Sequence, residues 1–175
     1  MMRMMLMGFC LVWAQFALAL SHTVEISEKE IQQKVTAMMP IQKKLFLATV
    51  SLPDPRVSLI SETNEIGISS PVEVSIPGVI KGSGRAKIQG VPSYDARSGE
   101  FFLKSPAVTE FEVDGLPERY RAQVRELTQL LVEQVLAKRP IYKLNDDDLQ
   151  HRLAKSVLQS VAVKNDKLLL VLEIF

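Results

Sequence analysis

The sequence predicts an α+β fold: a long-stranded, curved antiparallel β-sheet wrapped around one long helix in the C-terminal half, with a short N-terminal helix and a C-terminal β-hairpin. Three features carry that expectation. Apolar and polar residues alternate through most of 45–114, the pattern of a sheet with one buried and one wet face. A helical period replaces it over 117–139, bounded by Pro117 and Pro140. The alternating runs are long against a usual strand of about 5–6 residues, and long strands twist and curl.

The chain has 175 residues, 47% hydrophobic and 23% charged, which fits one globular domain. With 21 Lys+Arg against 20 Asp+Glu it lacks the positive footprint of a general nucleic-acid binder, so no nucleic acid is expected as partner. An aromatic content of 6%, together with the helical segments, argues against an outer-membrane barrel despite the terminal Phe175.

The first nineteen residues read as a secretory signal peptide. Arg3 is their only charge, Leu6 to Leu18 is an apolar run, and Ala17-Leu18-Ala19 supplies the small residues before a cut between Ala19 and Leu20. A cut after Ser21 is the second choice. A retained membrane anchor is the competing reading, but Gly8 and Gln15 interrupt a run already short for a span of roughly 20 apolar residues. Cleavage would remove the only Cys (Cys10), the only Trp (Trp13) and five of the seven Met, leaving a single domain over 20–175 with no thiol chemistry. Phe9 directly before Cys10 makes a poor lipid-attachment site, so a periplasmic protein without a lipid anchor is expected.

Ser27-Glu28-Lys29-Glu30 is a capping box, followed at helical spacing by Ile31, Val35 and Met38 until Pro40 stops the helix. In the sheet, Ile66, Ile68, Val72, Val74 and Ile76 share one face. In the next strand region, Ile80 to Val91, the inward face carries Gly82, Gly84, Ala86, Ile88 and Gly90. Such small residues leave room for a helix to pack closely or for a cavity. Residues 94–99 read as a turn, Phe101-Phe102-Leu103 restarts the sheet, and Ala107, Thr109, Phe111 and Val113 read as one face of the strand after Pro106.

Pro117 fits the first-turn position of the long helix. Its stripe is Tyr120, Val124, Leu127, Leu131 and Val135, widened by Leu130, Val132 and Leu136. Arg119, Arg121 and Arg125 in its first turns read as a solvated face balanced by Glu118 and Glu126, or as a collar for phospholipid head groups in peripheral membrane contact. Asn145-Asp146-Asp147-Asp148 lacks the alternating ligands and Gly of a calcium loop and precedes Leu149, Leu153, Val157 and Leu158 at helical spacing, so it reads as a helix start. His151 follows one turn later, and the other histidine, His22, stands at the start of the mature chain, so no metal set is expected. Val161-Ala162-Val163, Asn165-Asp166 and the apolar run Leu168 to Phe175 form the hairpin, its last strand covered on both faces.

No catalytic constellation is present: there is no G-x-S-x-G elbow, and Gly82-Ser83-Gly84 lacks the Lys of a phosphate loop. The expectation is a protein that is not an enzyme and carries no cofactor.

Gly90-Val91-Pro92-Ser93-Tyr94-Asp95 with Gly99-Glu100-Phe101-Phe102-Leu103-Lys104, the Ser27-Glu28-Lys29-Glu30-Ile31-Gln32 helix start and Pro140-Ile141-Tyr142-Lys143-Leu144 together resemble the YceB-like family of bacterial envelope proteins of unknown function. The resemblance implies a fold related to the tubular lipid-binding (TULIP/BPI-like) domains and supplies no catalytic residues. The functional expectation is a periplasmic binding protein for a lipid or other hydrophobic small molecule held between helix and sheet, burial contributing about 0.8 kcal/mol per CH₂. Its lining is assigned to Val124, Leu127, Leu131 and Val135 on the helix and Ile66, Ile68, Val74 and Ile88 on the sheet. The alternative is an envelope protein-interaction module that holds a partner protein at a strand edge or groove.

Overall fold

The computed structural model describes residues 20–45 and 48–174, and the expected signal-peptide cut and Cys10 fall outside that range. The elements are β1 (Leu20–Ser27), α1 (Glu28–Ala37), β2 (Ile41–Leu45), β3 (Ala48–Leu52), β4 (Arg56–Ile60), β5 (Glu65–Ile76), β6 (Ile80–Asp95), β7 (Glu100–Val113), α2 (Glu118–Val135), β8 (Tyr142–Lys143), α3 (Leu149–Val157), β9 (Leu158–Lys164) and β10 (Lys167–Ile174). They form an α+β fold of two antiparallel sheets, one with the order β2-β3-β5-β6-β7-β8 and β4 paired to β5, the other β1-β10-β9.

The long strands follow from their alternation. In β5 the apolar residues Ile66, Ile68, Val72, Val74 and Ile76 are buried while Pro71 and Glu73 are exposed. In β6, Ala86, Ile88 and Gly90 are buried against exposed Lys81, Ser83 and Arg85. Helix α2 packs against β7 on one side and against β2 and β3 on the other. These strands lie several positions apart in the sheet, so α2 crosses from one margin of it to the other.

The small inward residues of β6 serve strand packing. A Cβ at Gly84 would lie 1.8 Å from the Glu112 carbonyl oxygen, and one at Gly90 would lie 2.6 Å from Leu103 Cγ. At these two positions β7 takes up the space, and neither a helix nor a cavity does.

Strand β7 departs from a single alternation. Its ladder with β6 shifts between Lys87 and Ile88 and again between Gln89 and Val91, so an extra residue turns the register over at each bulge. Val108 is buried while Ala107 and Thr109 are exposed, the reverse of the facing expected for those two, and Phe111 and Val113 regain the inner side.

Ser27 caps α1 as the motif requires: Glu30 N donates to Ser27 Oγ (3.3 Å), and Ser27 N donates to Glu30 Oε2 (2.8 Å). Strand β1 before it was not legible as a strand, and His22 stands opposite Leu172 inside the ladder and not at a frayed end. Pro117 is the N-cap of α2 and not its first-turn residue. The helix ends at Val135, four residues short of the expected limit, because 136–139 continue as turns bonded to the Val132 and Val135 carbonyls.

Asp148 caps α3, accepting from Gln150 N (2.7 Å) and His151 N (3.3 Å). The expected apolar stripe on α3 does not close: Leu149 is 66% and Leu153 53% exposed, while Ala154 is buried. The hairpin turn is as expected, with both Asn165 (φ 52°) and Asp166 (φ 56°) left-handed. In β10, Leu168, Leu170 and Leu172 are buried, but Leu169 and Val171 are half-buried, so only one face is fully covered.

Two helices use side-chain amides to satisfy strand edges. Gln129 of α2 accepts from Val108 N (2.7 Å) and donates to the Pro106 carbonyl (2.9 Å) on β7. Gln32 of α1 accepts from Val57 N (2.7 Å) and donates to the Pro55 carbonyl (2.7 Å), and Glu28 accepts from Leu59 N (3.2 Å) on β4. Exposed strand edges invite pairing with other chains, and these side chains occupy the groups that would pair. Gln129→Ala is expected to cost about 1–2 kcal/mol by stranding a partly buried donor, and to favour self-association through the freed edge. Urea unfolding and sedimentation measure the two effects.

Candidate functional site

The eight residues assigned to the ligand lining all fall in or against one hydrophobic core. On the sheet, Ile66, Ile68 and Ile88 are fully buried and Val74 is 2% exposed; on the helix, Val124, Leu127 and Leu131 are buried and Val135 is half-buried at the C-terminal end. The buried stripe of α2 is narrower than its apolar arc, because Leu130 is 38% exposed. Thr128 lies in the same interior and donates its hydroxyl to the Val124 carbonyl (2.8 Å), and Ser70 donates to the Pro53 carbonyl. This interior is apolar, with its hydroxyls satisfied, and suits dispersion contact with an apolar surface rather than proton transfer.

Helix α2 is tied to both margins of the sheet by polar side chains. Gln129 bonds β7, and Lys43 of β2 donates to Gln134 on the opposite flank. The three arginines are exposed, and each has a neighbour in the fold. Arg121 pairs with Glu118 (2.9 Å), Arg119 stacks over the Tyr120 ring at 4.8 Å, and Arg125 donates to the Val108 carbonyl (3.4 Å) beside the Gln129 contact.

A second region gathers residues that the hydrophobic pattern did not single out. Tyr94 of β6, Phe101 of β7, Tyr142 of β8 and His151 of α3 form a chain of rings with centroid separations of 4.8, 6.1 and 6.3 Å. Phe101 pairs with both Tyr94 and Tyr142 across the sheet, its carbonyl accepts from Ile141 N (2.8 Å), and Lys143 pairs with Glu100 (3.2 Å). Glu30, which closes the capping box, faces the Tyr142 hydroxyl. The three motif segments, far apart in sequence, therefore meet at one end of the main sheet. Their spacing alone held no sign of this, since contacts between β6, β8 and α3 depend on the whole topology.

Burial, then the charges of Glu30 and Asp148, push the Tyr142 hydroxyl up to about 12. An unfolded tyrosine ionises near 10, so between roughly pH 10 and 12 the unfolded chain has lost a proton that the folded chain keeps. Stability must fall as pH rises through that window. Tyr142→Phe is expected to remove this share of the alkaline destabilisation, which denaturant unfolding followed from pH 9 upward would show. His151 accepts from Asn145 N at Nδ1 (3.0 Å).

Among the described residues, one buried side-chain polar atom lacks a partner, the Tyr94 hydroxyl. Burial and the Asp95 charge raise its pKa. Tyr94 also lines a crevice of about 360 Å³ between β6 and β9. A wider polar groove of about 480 Å³ crosses the outer face of β3, β5 and β6 at Thr49, Ser51, Glu73 and Lys81. No helix among the described residues is long and apolar enough to cross a membrane.

A family model described as a protein of unknown function (DUF1439) matches residues 26–167. The uncharacterized lipoprotein YceB of Escherichia coli (strain K12) is 27% identical over 154 residues, covering 79% of this chain and 81% of the relative, and the same figures hold for the uncharacterized lipoprotein YceB of Shigella flexneri. With lipoproteins as relatives, the expectation that this chain lacks a lipid anchor has no support from the comparison.

Proposed function

From the premise that the chain belongs to the DUF1439 family of proteins of unknown function, we propose that it is a non-catalytic protein of the bacterial envelope that holds a lipid or other apolar ligand between α2 and the curved sheet. The envelope placement draws on the lipoprotein relatives. Ligand binding draws on one observation: α2 spans the interior of the sheet from β7 to β2 and β3 and presents Val124, Leu127 and Leu131 to it. The family resemblance implies a ligand held at such a helix–sheet interface.

The ligand enters by displacing α2 from the sheet. The helix is held at its flanks by Gln129 and by the Lys43–Gln134 contact, each a side-chain bond whose net contribution is about 0.5–1.5 kcal/mol. Each acyl methylene buried in exchange contributes about 0.8 kcal/mol. The ligand needs no charged partner inside, in keeping with the satisfied hydroxyls of Thr128 and Ser70.

Native mass spectrometry of the protein purified from its own envelope, followed by organic extraction, tests the reading. The expected result is a stoichiometric lipid adduct that is lost in Leu127→Trp and Leu131→Trp. A clean unliganded mass after incubation with membranes overturns it. The second reading, an interaction module, is favoured by Leu149 and Leu153, which α3 leaves exposed side by side on its outer surface.

A further inference from the structure

The hairpin that joins β5 to β6 ends in an apolar tip. Val79 N donates to the Ile76 carbonyl (3.0 Å), and Pro77 and left-handed Gly78 (φ 72°) stand at the corners of the turn, a conformation both residues favour in advance. Pro77, Gly78 and Val79 are exposed, Val79 at 47%, and a methyl added to Gly78 would meet no atom within 4 Å. Other hairpin turns of the chain expose polar side chains, Arg97 between β6 and β7, and Asn165 and Asp166 between β9 and β10. The stretch Ile76-Pro77-Gly78-Val79-Ile80 has none.

Behind this tip the outer face of the sheet is laid out in rows. Lys44, Thr49, Ser75 and Lys81 stand side by side across β2, β3, β5 and β6. Ser51 and Glu73 belong to the next row, about 7 Å further from the tip at the rise of a strand. All but Lys44 line the polar groove of about 480 Å³. Glu73 and Lys81 are diagonal neighbours on paired strands, within reach of one another. Among the described residues, however, Lys44, Glu73 and Lys81 form no ion pair, although Lys87 and Glu110 on the same face do (3.2 Å). From the tip inward, the surface is therefore apolar, then cationic, then anionic, with its charges uncommitted.

We propose that this corner of the sheet docks on a lipid bilayer and takes up the headgroup of phosphatidylethanolamine. The Pro77–Val79 tip enters the acyl boundary, Lys44 and Lys81 meet the phosphate, and Glu73 with the Ser51 hydroxyl accepts from the ammonium. From its acyl chains outward this lipid presents hydrocarbon, phosphate and primary ammonium, in the same order as the hairpin's turn, lysines and carboxylate. Apolar residues at the acyl boundary with lysines at headgroup level are the usual means of interfacial binding, and the carboxylate–ammonium contact is a charge-assisted hydrogen bond. A free phosphate would leave the tip in water, and a glycerol headgroup would leave Glu73 without a cation. The turn is closed by its own hydrogen bond before contact, so docking orders little of the chain. This contact lies on the outer face, away from α2, and does not depend on a ligand beneath that helix.

Flotation of the full chain with vesicles of phosphatidylcholine, alone or mixed with an equal part of phosphatidylethanolamine or phosphatidylglycerol, tests it. Binding to the phosphatidylethanolamine vesicles is expected to be at least tenfold tighter than to phosphatidylcholine alone, whose trimethylated nitrogen donates no hydrogen bond. Glu73→Gln removes that preference, and Lys81→Glu weakens binding at least tenfold. Val79→Asp abolishes it, and Val79→Ser weakens it if Val79→Asp fails to fold. Arg97→Glu, the same charge change in the exposed turn at the far end of β6, leaves binding as it was. Equal affinity for phosphatidylcholine and phosphatidylethanolamine vesicles overturns the proposal, as does absence of binding to any of the three. A preference for phosphatidylglycerol that survives Glu73→Gln, or an equal loss in Arg97→Glu, would reduce the contact to general charge attraction and overturns it too. Soluble glycerophosphoethanolamine that binds the Val79→Asp chain as well as the parent would make the groove a site for a free headgroup and sink the bilayer contact.

Discussion

Phe101→Ala is expected to lower the unfolding free energy by about 3–5 kcal/mol, the range for truncating a buried aromatic ring and a large part of the roughly 5–15 kcal/mol that holds a domain folded. Phe101 is fully buried and its ring lies between those of Tyr94 and Tyr142. Its removal opens a void at the point where β6, β7 and β8 converge and takes away the ring that packs on Tyr142 of the two-residue β8. The loss should spread to α3, which reaches this end of the sheet through the Tyr142–His151 contact. Guanidinium unfolding measures the global effect. The tyrosine ultraviolet titration gives the local one, because a less buried Tyr142 must ionise at lower pH than in the parent chain. A loss below about 1 kcal/mol, with the Tyr142 titration unmoved, would mean that the ring cluster does not hold this end of the sheet together.

How much of this was legible in the sequence depends on the range of the interactions concerned. The Ser27 capping box, the Asp148 cap and the Asn165-Asp166 turn are local, each closed by groups within about four residues, and local chemistry specifies them. The burial of Ile66, Ile68, Val74 and Ile88 follows from alternation and needs only the knowledge that one face is inside. The facing of Ala107 and Thr109 was misread because a bulge changes the count of residues between two strands, and one strand's pattern does not record its partner's register. Leu149 and Leu153 repeat at helical spacing, which marks the helix but not which of its faces is buried. In the fold, α3 turns Ala154 inward instead, with Asp148 fixing where the helix begins.

The candidate sites divide in the same way. The burial of the residues assigned to the ligand lining is a property of hydrophobic pattern, and all eight lie in or against the one core. For the arginines, the pairing of Arg121 with Glu118 follows from the charge balance of the first turns, whereas the Tyr120 ring under Arg119 and the β7 carbonyl beside Arg125 lie outside that pattern. The Tyr94–Val161 crevice was not foreseeable from either strand alone. It lies where β6 runs on past the end of its ladder with β5 and comes to face β9.

Gly84→Ala should be the most damaging single-methyl addition to the sheet. An alanine Cβ there would stand 1.8 Å from the Glu112 carbonyl oxygen and 2.7 Å from both the Glu112 carbonyl carbon and Val113 Cα. All three are backbone, so no rotamer change relieves the clash and β7 must move away from β6. Overpacking of this kind costs about 1–3 kcal/mol and sometimes more, and here it also disturbs the pairing of Gly84 with Val113 and of Arg85 with Glu112. Gly78→Ala is the control: no atom lies within 4 Å of its added methyl, and only its left-handed backbone, φ 72°, resists the change, at about 1–2 kcal/mol. Thermal unfolding of the two variants should therefore rank Gly84→Ala well below Gly78→Ala. The reverse order would mean that β7 does not approach Gly84 closely and would reopen the inner face of β6 as space for a ligand.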